Sequence, residues 1–333
     1  ENRCNRRGWR LGSWWWRSLG GAGLVWSLVA FSGQAGDWPQ WRYDAARGAA
    51  TPETLPDQLH LQWTRELAAP RPAWPPSQPW LRFDVSYSPV AAGGLLFVPS
   101  MVDDTVTAYE LATGQVRWRF VAGGPVRLAP VADAGKVYFG SDDGFLYCLD
   151  AATGTLRWRV RGGPYERHVL GNERMISTWP IRSGPVLRDG VIYFTAGIWP
   201  FMGIFVRAVD ASTGDVLWTN SSEGDRWHVQ PHKSPAFGGF VPRGYLAATA
   251  DTLVAAGGRT QPGCYDRKTG ALRFFEFGAK NSGTWEVSAR DRWRSRRARR
   301  QLLLGERDPV GAADRERAVV EVVARVVHVD RAL

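Results

Sequence analysis

The chain has 333 residues, a formal net charge of +10, 44% hydrophobic residues and 18 Trp. That length suits one large domain, and the basic balance raises nucleic acid or a membrane surface as partners. The charge distribution excludes nucleic acid: residues 1–36 carry +4 and 289–333 carry +5, which leaves about +1 on 37–288 and no basic stripe.

Residues 1–36 read as a secretory signal. Arg3, Arg6, Arg7, Arg10 and Arg17 form a positive leader, residues 24–31 an apolar core, and Gly33-Gln34-Ala35 a small-residue cleavage site before Gly36. The apolar run is short for a membrane span. The competing reading is an uncleaved anchor, with Trp14, Trp15 and Trp16 at the interface. The first residue is Glu1, so a truncated start is expected. Residues 37–67 read as an entry segment ending in a lone outer strand. Residues 68–84 hold Pro70, Pro72, Pro75, Pro76 and Pro79, which predicts an extended loop.

A repeat organises the middle of the chain. Ala108–Trp118, Cys148–Trp158, Ala208–Trp218 and Cys264–Phe274 fit one gap-free template: small residue, x, acid, x, x, Thr, Gly, x, x, x, aromatic. Alternating apolar residues flank each Thr-Gly, so each copy reads as strand, tight turn, strand. Gly at the turn tolerates positive φ, and the preceding acid and Thr bond local backbone. A further strand precedes each copy, at 94–98, 136–139, 191–194 and 252–255. Ser88-Pro89-Val90, Ala129-Pro130-Val131 and Gly184-Pro185-Val186 open a short inner strand in three units. Four strands per unit predict an all-β fold, a β-propeller, with blades at about 85–122, 125–162, 180–221 and 235–277. Gly114, Gly154, Gly214 and Gly270 are spaced by 40, 60 and 56 residues, a bare blade and two with insertions. One unit cannot bury both sheet faces, so neighbours stack. Trp118, Trp158, Trp218 and Phe274 are expected as wedges between blades; the functional alternative is a row of rings stacking on a ligand. Cys148 and Cys264 occupy the template's small slot and are expected as buried strand residues.

Two insertions carry the candidate ligand loops. The first, 162–182, holds Arg167, Asn172, Trp179 and Arg182; the second, 223–233, holds His228 and His232. The two histidines would share a helix face and bind metal, but Pro231 between them argues for a loop. Arg127, Arg167, Arg174 and Arg182 either gather at one channel mouth to bind an anion or make salt bridges to Glu166 and Glu173. Asp142-Asp143-Gly144 reads as a hairpin turn first and as a metal or acid-base group second.

The repeat grammar stops after Trp285. Residues 290–300 read RDRWRSRRARR, and no further Thr-Gly turn occurs. The tail from about 287 is expected to be frameshifted or foreign sequence, or else a basic disordered tail. Residues 37–286 then give about four to five blades, an incomplete ring and a fragment.

The template resembles the pyrroloquinoline-quinone (PQQ) repeat, A-x-D-x-x-T-G-x-x-x-W, over about Asp37–Trp285. Asp37-Trp38-Pro39-Gln40-Trp41-Arg42 and Leu59-His60-Leu61-Gln62-Trp63 are similar to the entry of such propellers in secreted bacterial proteins. The family includes quinoprotein alcohol dehydrogenases and an outer-membrane assembly lipoprotein. The resemblance implies a periplasmic or secreted location. It also implies either PQQ-dependent oxidation, with PQQ and Ca²⁺ bound, or a scaffold that binds a protein, peptide or polysaccharide on its channel face. The adjacent Cys-Cys pair of quinoprotein dehydrogenases and a C-x-x-C-H haem attachment are both missing from this sequence. The expectation is therefore a scaffold, with no nucleic acid and a membrane tie only through an uncleaved signal.

Overall fold

The computed structural model describes residues 36–275 except 56, 78–82, 222–225, 230–232, 234 and 258–261. Residues 1–35, expected to be a leader, His232, and residues from 276 onward lie outside the described residues.

Three four-stranded antiparallel sheets follow one another in sequence order. The first is β1 (Val90–Ala92), β2 (Leu95–Pro99), β3 (Thr105–Glu110) and β4 (Val116–Val121). The second is β5 (Val131–Asp133), β6 (Lys136–Gly140), β7 (Phe145–Asp150) and β8 (Leu156–Arg161). A hairpin, β9 (His168–Gly171) and β10 (Arg174–Ser177), and a short strand β11 (Ser183–Gly184) lead to the third: β12 (Val186–Arg188), β13 (Val191–Ala196), β14 (Phe205–Asp210) and β15 (Val216–Asn220). A second hairpin, β16 (Arg226–Val229) and β17 (Pro235–Gly238), precedes the fourth blade. That blade is β18 (Gly244–Ala248), β19 (Thr252–Ala255), β20 (Gly263–Asp266) and β21 (Leu272–Phe274), with β11 added parallel to β18. The fourth blade therefore starts at 244, later than the repeat spacing predicts, because Pro235–Gly238 pairs with β16 instead. These are the blades of a β-propeller, and the described residues do not close a ring.

The template's chemistry is visible in the register. Its small residue sits directly across from its aromatic: Ala108 from Trp118, Cys148 from Trp158, Ala208 from Trp218, Cys264 from Phe274. In each blade the register then shifts by one, a β-bulge at the same place four times over. The bulged residue is Arg117, Arg157, Leu217 or Arg273. The three arginines turn back to the template acid, as Arg157 Nη2 does to Asp150 Oδ2 at 2.6 Å. That acid also organises the turn: Asp150 Oδ1 accepts from the Ala152 and Thr153 amides at 3.1 and 3.0 Å.

Each aromatic wedge then docks on the next blade's turn. Gly114, Gly154, Gly214 and Gly270 all have φ between 67° and 84°, open to glycine at little cost. The missing side chain matters as much as the backbone angle. A Cβ on Gly154 would stand 2.6 Å from the Trp118 ring, and one on Gly214 would stand 2.8 Å from Trp158. Trp118 Nε1 donates to Ala151 O at 2.9 Å, and Trp218 Nε1 donates to Arg267 O at 3.1 Å. Trp158 lies over Gly214 but its indole N–H is buried without a partner. The equivalent carbonyl, Ala211 O, accepts instead from Tyr138 Oη at 2.9 Å. Phe274 holds the same register position, and its next blade is not among the described residues. The entry segment 37–67, expected to end in a lone outer strand, contributes no named strand among the described residues. Trp63 nonetheless docks on Gly114, with Nε1 on Leu111 O at 2.8 Å.

The cores lie between blades. One cluster joins Phe97 and Ala108 to Phe139 and Tyr147, a second joins Tyr138 and Cys148 to Ile192 and Phe194, and a third joins Tyr193 and Ala208 to Leu246 and Tyr265. Cys148 and Cys264 are buried and free, and burial pushes both thiols up to about 12.

The inner edges are tied by the entry segment. By register, Ala91, Ala132, Leu187 and Ala248 are equivalent positions of the four inner strands. Trp38 exchanges both backbone bonds with Ala91, and Pro39 O accepts from Ala132 N at 2.8 Å. Gln40 uses its side-chain amide to do the same for Leu187, at 3.1 Å each way, and Ala45 O accepts from Ala248 N at 2.7 Å. Arg47, 1% exposed, donates to Leu246 O at 2.7 Å and Pro185 O at 2.9 Å.

Replacing Trp118 by Ala should cost about 3–5 kcal/mol. Replacing it by Phe should cost about 1 kcal/mol more than Trp158→Phe, because only the Trp118 indole donates a hydrogen bond. Urea midpoints at unchanged slope check this, and equal costs for the two Phe variants would contradict it.

Candidate functional site

The antiparallel order of each blade fixes two ends. The turns after the first and third strands point to one end, and the loops after the second and fourth strands point to the other. All four Thr-Gly turns are five residues long. At the opposite end the loops after the second strands run 5, 4, 8 and 7 residues, and the connections between blades run 9, 24 and 23. All the large insertions therefore gather at one end, as functional loops on a rigid scaffold do.

The centre of that end is a buried charge network. Asp142, in the loop after β6, is fully buried. Arg182 grips it with one edge of its guanidinium, Nε on Oδ1 and Nη2 on Oδ2 at 3.0 Å each. Arg127 Nε donates to Asp142 Oδ2 at 2.7 Å, and Arg127 Nη1 donates to Asp84 Oδ2 at 2.6 Å. Side-chain exposures are 0–4% throughout. Burial pushes the Asp142 carboxyl up, but the two arginines outweigh it and hold it below the ordinary range. At Asp84 burial outweighs Arg127 and raises the carboxyl. Asp84 Oδ1 is buried and unpartnered. Asp143 faces only neutral donors: Tyr147 Oη at 2.5 Å and the Gly123 and Phe145 amides at 2.9 Å. Burial raises its carboxyl too. Adjacent aspartates in one turn thus titrate in opposite directions.

The Asp-Gly turn expected at 142–144 is present, with Gly144 N bonded to Ser141 O, but its two aspartates are interior groups. The arginines divide. Arg127 and Arg182 come together on Asp142 and Asp84, not on Glu166 or Glu173. Arg174 pairs with Asp104, and Glu173 meets Arg71 at 3.7 Å on the surface. Arg167 is exposed and joins none of these.

Trp179 and Arg182 are interior rather than loop-borne, at 2% and 3% exposure. Trp179 packs on Gly163, lies edge-on to Tyr165 at 4.8 Å and donates to Met202 O at 2.7 Å. Asn172 and Glu173 both have positive φ and make the two-residue turn between β9 and β10. Asn172 Nδ2 reaches Pro72 O at 3.3 Å. His228 lies on β16, across from Ala236. Sequence reasoning missed Asp84, which stands in a Pro-rich loop with no pattern to mark it.

Apolar side chains crowd the same end. Leu170 and Met175 face each other across the β9–β10 hairpin, at 74% and 59% exposure. Tyr165, Trp199 and Phe201 are also exposed there, and the last two stack at 6.0 Å.

A quinone with Ca²⁺ needs free side-chain oxygens, about six to eight ligands in all, and a flat ring to stack on. Asp142, Asp143, Asp84 and Asp104 already accept from arginine, tyrosine or backbone donors. Trp179 spends its ring on internal packing. Among the described residues no three of His, Cys, Asp and Glu converge as a metal site. The described residues do not fit that group.

Residues 39–196 match the PQQ_2 family model, described as outer membrane protein assembly factor BamB. The chain is 34% identical over 123 residues to the dehydrogenase subunit of a quinone alcohol dehydrogenase of Gluconacetobacter polyoxogenes, covering 33% of this chain and 16% of that one. It is 31% identical over 143 residues to the corresponding subunit from Gluconobacter oxydans, covering 39% and 18%. The chain thus spans less than a fifth of these curated relatives. The quinohemoprotein alcohol dehydrogenase of Comamonas testosteroni superposes with a TM-score of 0.52 at 19% identity, over 76% of this chain and 42% of that one. That likeness shows the propeller fold.

Asp142 contributes stability above about pH 4, its unfolded range, and that stability is lost as pH falls through the lower folded value. Asp142→Asn should cost about 3–5 kcal/mol at neutral pH, because it leaves buried Arg182 without an anion and Arg127 with Asp84 alone. The loss should shrink below about pH 4. Denaturation midpoints from about pH 2 to 7 check it, and a pH-independent loss would contradict the assignment.

Proposed function

We propose that this PQQ-like propeller is a binding and assembly scaffold of the bacterial cell envelope, and that it recognises a protein or peptide at the loop-bearing end. The observation that carries the reading is the exposed apolar pair Leu170 and Met175, on a hairpin whose other face is anchored by buried Ile176. Large exposed apolar groups on ordered loops mark interaction surfaces. Asp142, Arg127 and Arg182 beneath that end are spent on each other, which suits a platform better than a reaction chamber. The match to an assembly-factor family over residues 39–196 supports the same reading.

A second reading is a PQQ-dependent oxidoreductase. It is favoured by the curated relatives, which are subunits of quinone alcohol dehydrogenases.

One experiment separates the two. The purified chain is mixed with PQQ and Ca²⁺, passed through a sizing column and assayed for alcohol-dependent dye reduction. The scaffold reading expects no retained quinone absorbance and no dye reduction. Retained quinone with turnover would replace it by the oxidoreductase. In a second arm, peptides selected from a displayed library should lose at least tenfold affinity to a Leu170→Asp, Met175→Asp variant, about 1.4 kcal/mol. Unchanged affinity would remove the hairpin from the site.

A further inference from the structure

In each third strand, the residue before the small slot occupies one equivalent position: Thr107, Tyr147, Arg207 and Gly263. Tyr147 shows where this position leads. Its ring joins the cluster between the first and second blades, and its hydroxyl bonds Asp143. Arg207 puts a guanidinium in the matching place between the second and third blades. Its cross-strand neighbours are Phe194, fully buried, and Thr219. Its guanidinium carbon lies 5.9 Å from the Phe205 ring centre, and Phe205 packs with Val160 against the same inter-blade cluster.

Four buried arginines are answered. Arg47 has backbone carbonyls, Arg127 and Arg182 have aspartates, and Arg267 has Asp189 at 2.6 Å. Arg207 is not: its Nε is buried with no hydrogen-bond partner. Burial and then the nearby Arg161 both pull it below the ordinary arginine value, and no carboxylate opposes them. A buried guanidinium N–H without an acceptor, beside a second cation, calls for an explanation, since each unmade bond of this kind is costly.

We infer that half-buried Arg207, with exposed Arg161 near it, forms a carboxylate-binding site at the edge of the packed interface between the second and third blades. The Nε and Nη edge of a guanidinium matches a planar carboxylate with two parallel hydrogen bonds. The wall supplied by Phe205, Phe194 and Val160 is apolar, which suits a singly charged planar anion better than a doubly charged tetrahedral one. The carboxylate belongs either to a small free acid or to an Asp or Glu side chain of a polypeptide. The site stands independently of the hairpin surface, so either can fail alone.

The test is thermal unfolding of the full chain in chloride buffer, with added propionate or a capped Glu-containing peptide, each at about 10 mM and matched ionic strength. Ligand that binds only the folded chain raises the midpoint, here by roughly 2–4 °C. Arg207→Met should raise the basal midpoint, because an apolar side chain of similar reach replaces a half-buried guanidinium whose Nε has no acceptor, and should abolish the response. Arg161→Gln should fold normally and need about tenfold more ligand for the same rise. A response to propionate identifies a free acid, and a response to the peptide alone identifies a polypeptide carboxylate. The inference falls if neither ligand raises the midpoint, if Arg207→Met responds like the parent chain, or if sulfate gives the same rise.

Discussion

The fold depends on an indole lying where a glycine has no side chain. Each blade's terminal tryptophan leaves its own sheet opposite a small residue and comes to rest on the next blade's turn. Three conditions must hold at once: a small partner across the strand, a bulge that aims the ring, and a bare glycine to receive it. The eleven-residue template encodes all three. The template acid fixes the turn that presents the glycine, and in three blades the bulged arginine fixes the acid. Since the cores lie between blades, this docking is the route by which one sheet buries its face on another.

Docking secures the outer rim and leaves the inner edges open. Unpaired inner strands invite association with other chains. Here residues 38–47 cross all four inner strands and satisfy the same position in each, by backbone in three blades and by the Gln40 amide in the third. The loop-bearing end has its own tie. Asp142 gathers arginines from the two neighbouring inter-blade connections, and Arg127 extends the network to Asp84. Such a buried network adds little net stability over an apolar substitute. Its effect is to fix how three stretches of chain meet.

Much of the fold was legible because its determinants are local and repeated. Strand, turn and strand recur within eleven residues, so the propeller, the buried cysteines and the wedge tryptophans can all be read from spacing. What escaped was long-range. Gln40 meets Leu187 across 147 residues and Arg47 meets Leu246 across 199, and no window of sequence shows either. Trp63 was visible only as part of an entry segment, because no Thr-Gly turn precedes it, although it docks like the others. Asp142 was hidden behind an ordinary Asp-Gly turn. The candidate loop residues fared unevenly for one reason: sequence marks where an insertion lies, not which of its residues turn inward. Trp179 and Arg182 close the insertion and fold under it, whereas Arg167 and Asn172 stay outside.

The two ends of the molecule are under different constraints. The four Thr-Gly turns share one length, because each must deliver its glycine to a neighbouring indole at a fixed height. An inserted residue there would misplace the ring and open the cleft behind it. At the other end the connections lie beyond the docking contacts, so their length is free to change, and it ranges from 9 to 24 residues between blades. Substitution can then accompany insertion. Once an interface is held by tryptophan and glycine at one end, its other shoulder can accept residues of very different size and polarity. Thr107, Tyr147, Arg207 and Gly263 differ that widely at one equivalent position. A scaffold of this kind keeps its specificity where its repeat is least regular.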